Sequence, residues 1–162
     1  GTPHIAGELL KQRAGANLTH IPYKGGGQAL TDVLGGNIPQ VYTAIAGAIP
    51  HVKSGKLHAV AVSSGKRASS LPDVPTFIES GLNDFEINSW VALLAPAKTP
   101  KAIVDKLNTE LNALLSDPEV REKLNGMGIT ATPGTADKFG EDLKRDLARY
   151  GQVVKAANIK AE

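Results

Sequence analysis

Apolar residues follow two rhythms along this chain: short solid runs in the first half, helix-spaced ones in the second. From His4 to Ala14, Ile5, Leu9 and Leu10 recur at helical spacing, and Gly15 supplies the stop. Thr2 is the expected N-cap of this helix, with Pro3 at its first position. Leu18 to Pro22 reads as a strand, and Gln28 to Leu34 as a helix closed by Gly35-Gly36. Ile38 to Ile45 reads as a second strand, and Ala46 to Ser54 as a short helix carrying Pro50. Leu57 to Ser63 (LHAVAVS) is nearly all apolar, the pattern of a strand buried on both faces of a sheet. Strands alternating with short helices predict βαβ units and a mainly parallel sheet, an α/β fold.

Ser64 to Pro75 is polar and proline-punctuated, a connecting loop, and a short helix is expected over Thr76 to Ser80. Phe85 to Ala95 (FEINSWVALLA) reads as a strand ending at Pro96. Beyond it the spacing turns helical. Thr99 caps a helix with Pro100 at its first position, running to about Leu115. Asp117-Pro118 opens a second helix, ending at Gly126. Ile129 to Thr132 is briefly extended, and Thr135 caps a last helix to about Ala157. No internal repeat or low-complexity tract is visible.

Composition narrows the function classes. Aromatics are only 4% while alanine and glycine are plentiful, so backbones should pack close together. A formal net charge of +2, without a Lys/Arg run, gives no footprint for nucleic acid. From Val33 to Pro72 there is no acid, whereas Lys53, Lys56, Lys66 and Arg67 lie there, a bias toward an anionic ligand. The chain has no cysteine, hence no disulfide or thiolate site. The histidines His4, His20, His51 and His58 lack the spacing of a metal pair, and His20 and His58 fall inside expected strands. No G-x-S-x-G elbow is present, and Asp32 has no paired carboxylate and reads as solvated on its helix. No cofactor, metal site or catalytic residue is therefore expected. Trp90 reads as core or cleft wall.

The one segment that asks for a chemical reason is IPYKGGGQALTDVLGG. Three adjacent glycines are entropically costly to order, so either the chain turns tightly or something approaches the backbone. The glycines lie between a strand and a helix, where exposed N–H groups and the helix dipole can hold an anion. The segment is neither G-x-x-x-x-G-K-[ST] nor G-x-G-x-x-G, which argues against nucleotide. Gly1-Thr2-Pro3-His4 also stands at a helix start, so both loops could open on one sheet edge, where open α/β sheets bind ligands.

The order HIPYKGGGQALTDVLGGNI, GKLHAVAVSSGKR, LPDVPTFIESG and W-x-x-L-x-A-P-x-x-T-P resembles the substrate-binding proteins of tripartite tricarboxylate transporters, the TctC or Bug group. The resemblance runs over nearly the whole chain from His4 onward. It implies a periplasmic-binding-protein-like (Venus-flytrap) fold that binds small carboxylates in the periplasm without altering them, and delivers them to membrane components of the transporter. It further implies that residues 1–86 form the second ligand-binding lobe. Residues 87–162 would then be a crossover strand and C-terminal helices completing a first lobe whose N-terminal part lies outside this chain. The chain begins Gly-Thr-Pro-His, without an initiator Met or signal peptide, and so reads as the C-terminal part of such a receptor.

By the resemblance, Gly1, Thr2 and His4 belong to one cleft-facing loop, and Tyr23, Lys24, Gly25, Gly26 and Gly27 to the second, with Thr43 nearby. The family often carries acids after Gly36, where Pro39 and Thr43 stand here, and this weighs against amine recognition. Gly25-Gly26-Gly27 would let the backbone approach a ligand carboxylate or its bridging water. Each charge-assisted N–H contact contributes roughly 1.5–3 kcal/mol. Two other function classes stay open on the residues alone: an α/β enzyme (a small transferase) acting on an anionic metabolite, and an interaction module without a pocket. The apolar faces of the late helices (Ile103, Leu107, Leu111, Leu114; Leu143, Leu147, Val154) would pack on the first lobe. Alone, they predict self-association or collapse onto the second lobe.

Overall fold

The structure, a computed structural model, describes residues 1–159. Six α-helices are formed among the described residues: α1 (Thr2–Ala14), α2 (Gly26–Leu34), α3 (Ile45–Lys53), α4 (Lys101–Ser116), α5 (Pro118–Gly126) and α6 (Ala136–Ala156). They fall into two compact units, Gly1–Ser89 and the part from Trp90 onward. No helix is long and apolar enough to cross a membrane among the described residues.

The first unit holds α1, α2 and α3. Helix α1 buries Ala6 and Leu9, three residues apart on one face, and stops where Gly15 turns left-handed at φ 61°. Its N-cap is Gly1 rather than Thr2, which is itself the first helical residue and lends no side-chain cap. Helix α2 buries Ala29 and Leu30 and packs on α3, which buries Ile49. The two helices approach closely because Gly47 has no side chain: a Cβ there would stand 3.1 Å from Leu30 Cδ1.

The extended segments depart from the expected mainly parallel sheet. Leu18 to Pro22, Ile38 to Ala44, Leu57 to Ser63 and Phe85 to Ala95 are non-helical, but the described residues pair at a single parallel bridge, Val62 to Thr76. There Val62 N donates to Pro75 O at 2.9 Å and Phe77 N to Val62 O at 3.0 Å. On the next residue, Ile87 N donates to Ser63 O, and Ser63 Oγ returns a bond to Ile87 O at 2.5 Å. Short apolar runs report burial and extension; they carry no signal for ladder hydrogen bonds, which depend on what lies alongside. Val60 is 75% exposed, so Leu57 to Ser63 is not buried on both faces. The core gathers instead around Val62, Phe85 and Ile87, with Phe77 against Phe85 at a ring separation of 4.3 Å.

The expected helix over Thr76 to Ser80 is a run of turns, closed by a reciprocal cap. Glu79 N donates to Thr76 Oγ1 at 3.0 Å and Thr76 N to Glu79 Oε2 at 2.8 Å. Arg67 holds the same carboxylate through Nε at 2.9 Å and Pro72 O through a terminal nitrogen at 3.1 Å, pinning the loop ahead of it.

In the second unit α4 packs on α5 and on α6. Pro100 is the N-cap of α4, and the helix begins at Lys101, one residue later than Thr99-Pro100 suggested. Asp117 caps α5 and Thr135 caps α6, each accepting from a backbone N–H at 3.1 Å. Asn112 fastens the loop before α6, donating to Gly134 O at 2.9 Å and accepting from Gly134 N at 2.8 Å. Trp90 meets the edge of Phe139 yet stays 45% exposed, so it is not core. Ile103, Leu107, Leu114 and Leu147 are exposed.

Candidate functional site

The glycine segment folds as an open start to α2. Gly25 is the N-cap, extended at φ −177°, ψ 163°, and Gly26 and Gly27 are the first two helical residues. No left-handed backbone occurs at any of the three, so none of them is required by a positive φ. What distinguishes them is space. A Cβ on Gly25 or Gly27 would have nothing within 4 Å, whereas one on Gly26 would stand 3.2 Å from Thr43 Oγ1.

The helix starts are electrostatically bare. Helices α1, α2 and α3 each begin without a side-chain cap and without an acid in the first turn. Helix α4, starting after Pro100, is bare as well. In contrast, α5 and α6 have both a cap and an acid, Glu119 and Asp137 respectively. The N-terminal N–H groups of α1 to α3 thus retain their partial positive charge for another acceptor.

Contacts within the first unit connect these starts in sequence. His4, in the first turn of α1, stacks on His20 with ring centroids 3.7 Å apart and planes 4° apart. His4 Nε2 also stands 4.0 Å from Glu8 Oε1. His20 lies three residues before Tyr23, at the entrance to the glycine segment. Gly26 then has the Thr43 hydroxyl beside the position a side chain would take, two residues ahead of α3. Gly1, Lys24 and the three glycines are exposed, and Thr2, His4, Tyr23 and Thr43 are half-buried. The link between the Gly1–His4 group and the Tyr23–Gly27 group runs through His20, which is expected from its sequence to sit inside a strand.

Asp32 departs from the solvated position its sequence suggests. Its carboxylate is not simply solvated: Oδ2 accepts from the Tyr23 hydroxyl at 2.7 Å and Oδ1 from Asn37 Nδ2 at 3.3 Å. The hydrogen bond to Asp32 holds the Tyr23 phenol above its ordinary pKa, with burial and the Asp32 charge pushing the same way. Tyr23, Gln28, Thr31 and Asp32 line an open depression of about 340 Å³. One signal was available in the sequence: an acid in the last turn of a short helix opposes the dipole and needs a compensating partner. Among the described residues, no group of three or more His, Cys, Asp or Glu could hold a metal ion.

The family model described as the tripartite tricarboxylate transporter family receptor matches residues 1–159. An Agrobacterium vitis protein, "UPF0065 protein in the TAR-I ttuE-ttuC' intergenic region", is 37% identical over 159 residues, covering 94% of this chain and 45% of that protein. Protein BugT of Bordetella pertussis is 33% identical, covering 97% of this chain and 48% of BugT. Among solved structures, an R. palustris protein with adipate superposes with a TM-score of 0.88 at 30% identity, covering 98% of this chain and 53% of that one. MatC from Rhodopseudomonas palustris with bound malate gives 0.79 at 29% identity, covering 94% and 53%. The chain thus spans about half the length of these relatives, and the likeness supports the binding-protein fold. By its match over residues 1–159, the chain belongs to the tripartite tricarboxylate transporter receptor family, a family of receptors rather than enzymes.

Proposed function

We propose that this chain serves in a periplasmic solute receptor that binds a small carboxylate for a tripartite tricarboxylate-type transporter and releases it unaltered. The observation that carries the reading is the start of α2. It has no side-chain cap and no acid in its first turn, and it opens with glycines of which Gly25 and Gly27 face empty space. Such a terminus offers N–H donors and a favourable dipole to an anion that can come within contact of the backbone. Gly1, Thr2 and His4 would contribute the start of α1, Tyr23 and Lys24 the rim of the glycine loop, and Thr43 a hydroxyl beside Gly26.

In this reading residues 1–86 are the second lobe, and residues 87–162 cross back and lend their helices to the first. The exposed Ile103, Leu107, Leu114 and Leu147 would then be covered by the remainder of that lobe. Relatives with adipate and with malate make small dicarboxylates the first ligands to try. The comparisons lend the expected self-association no support, and it forms no part of the proposal.

Calorimetry of the full-length protein against a panel containing adipate, malate, a monocarboxylate and an amino acid tests this directly. Saturable binding of at least one acid, recovered chemically intact, is the expected result. Turnover of the bound acid, or no heat with any member, would overturn the proposal.

A further inference from the structure

The structure assigns a positioning role to Asp32: its bond to the Tyr23 hydroxyl clamps the glycine segment so that the start of α2 is held ready for the ligand. This rests on the receptor reading above. Tyr23 stands at the entrance of the segment and Asp32 in the last turn of α2, so the 2.7 Å bond closes a ring that contains all three glycines.

Glycines lose more conformational freedom on ordering than any other residue, and Gly25 and Gly27 have no neighbour that would hold a side chain in place. Gly26 and Gly27 have the first turn of α2 to order them, whereas Gly25, extended ahead of the helix, depends on what spans the segment. The Tyr23–Asp32 bond spans the whole segment, Thr31 Oγ1 donates to Gly27 O at 3.0 Å inside it, and Thr43 Oγ1 lies where a side chain on Gly26 would have to go. The Tyr23–Asp32 bond, a hydroxyl donating to a carboxylate, is the stronger kind.

The placement of Asp32 supports the assignment. An anion in the last turn of a nine-residue helix opposes the helix dipole. Asn37 secures the second carboxylate oxygen at 3.3 Å, and Asn37 N donates to Asp32 O at 2.9 Å, so the carboxylate is fixed from the exit of the helix as well. A charge kept against the dipole and tied at both ends is built to hold the phenol still. Preorganising a loop in its bound form raises affinity by lowering the ordering cost of binding.

The experiment compares the full-length parent with Tyr23→Phe, Asp32→Ala and the double variant. It uses melting temperature, backbone amide order parameters at Gly25 to Gly27, and affinity for adipate and malate. Tyr23→Phe removes only the hydroxyl, so the fold should survive. The expected result is a fall in the glycine order parameters from about 0.85 toward 0.6 or below. Affinity should fall at least tenfold, with the double variant no worse than either single one. In Asp32→Ala the Tyr23 phenol should ionise at lower pH than in the parent, the signature of the lost bond. Unchanged glycine order parameters would overturn the clamp, and so would loosened glycines with undiminished affinity. A parent that binds neither acid would overturn the receptor reading and this inference with it; a failed clamp leaves parental binding intact, so the two failures are distinguishable.

Discussion

The carbon that a side chain would add at Gly26 falls 3.2 Å from Thr43 Oγ1, which brings the first helical residue of α2 against the chain two residues ahead of α3. That separation is too tight for a carbon and a hydroxyl at rest, so Gly26→Ala must displace Thr43. In a Thr43→Ala background the obstacle is gone, and Gly26→Ala should recover part of the helix propensity that glycine forgoes, up to about 1 kcal/mol. The two substitutions should therefore couple by about 0.5–1 kcal/mol in denaturant melts. Equal effects of Gly26→Ala in both backgrounds would mean that the contact is not made.

Gly27 gives the sharper test of a ligand. It is the second residue of α2, its backbone suits any side chain, and a Cβ there meets nothing within 4 Å. Gly27→Ala should leave stability unchanged or raise it by up to about 1 kcal/mol. If an anion approaches the backbone there, the same methyl should weaken adipate or malate binding by roughly tenfold, equivalent to about 1.4 kcal/mol. A variant that melts higher and binds as well as the parent would leave these glycines without a role in recognition.

The helices were largely legible in the sequence because their signals are local. Gly15, Asp117 and Thr135 mark ends that depend on a single residue's backbone preference or side-chain oxygen. The family motifs single out the segment of the proposed site for the same reason: Tyr23 to Gly27 is contiguous. Strand pairing was not legible, since the run from Leu57 to Ser63 states only that it is apolar, while Val60 stands exposed and, among the described residues, the one bridge joins Val62 to Thr76. Likewise Asp32 finds Tyr23 across a glycine segment, and His4 finds His20 across a whole helix. Those pairings are set by how elements lie in space, and no periodicity reports them.

The Thr76–Glu79 cap should impose a pH signature on the loop it closes. The backbone N–H of Thr76 holds the Glu79 carboxyl below its ordinary value, and the Arg67 guanidinium adds to the effect. A depressed folded-state pKa means that the contribution is fully present above the ordinary glutamate value of about 4.3 and is lost as pH falls through the lower, folded one. Glu79→Gln should flatten that acid limb in thermal melts taken from neutral pH downward, and should loosen Arg67 at every pH. An acid limb identical in parent and variant would show that Glu79 titrates as an ordinary surface carboxylate.

The approach of α3 to α2 should be the most sensitive packing contact near the site. A Cβ on Gly47 would stand 3.1 Å from Leu30 Cδ1, and Leu30 is buried, so it has little room to retreat. Gly47→Ala gains helix propensity of up to about 1 kcal/mol but overpacks a buried contact, which typically costs about 1–3 kcal/mol. The overpacking should win, because Leu30 would need to leave its rotamer while Ala29 beside it is buried as well. Shortening Leu30 to Val should relieve the clash, so Gly47→Ala should cost less in that background than in the native one. The consequence for binding follows from geometry: α3 pushed away carries Thr43 with it, and Thr43 Oγ1 lies beside Gly26 at the start of α2. Gly47→Ala is therefore expected to weaken carboxylate affinity even though residue 47 touches no part of the glycine segment, and an unchanged affinity alongside a lowered melting temperature would show that α3 can shift without disturbing the start of α2.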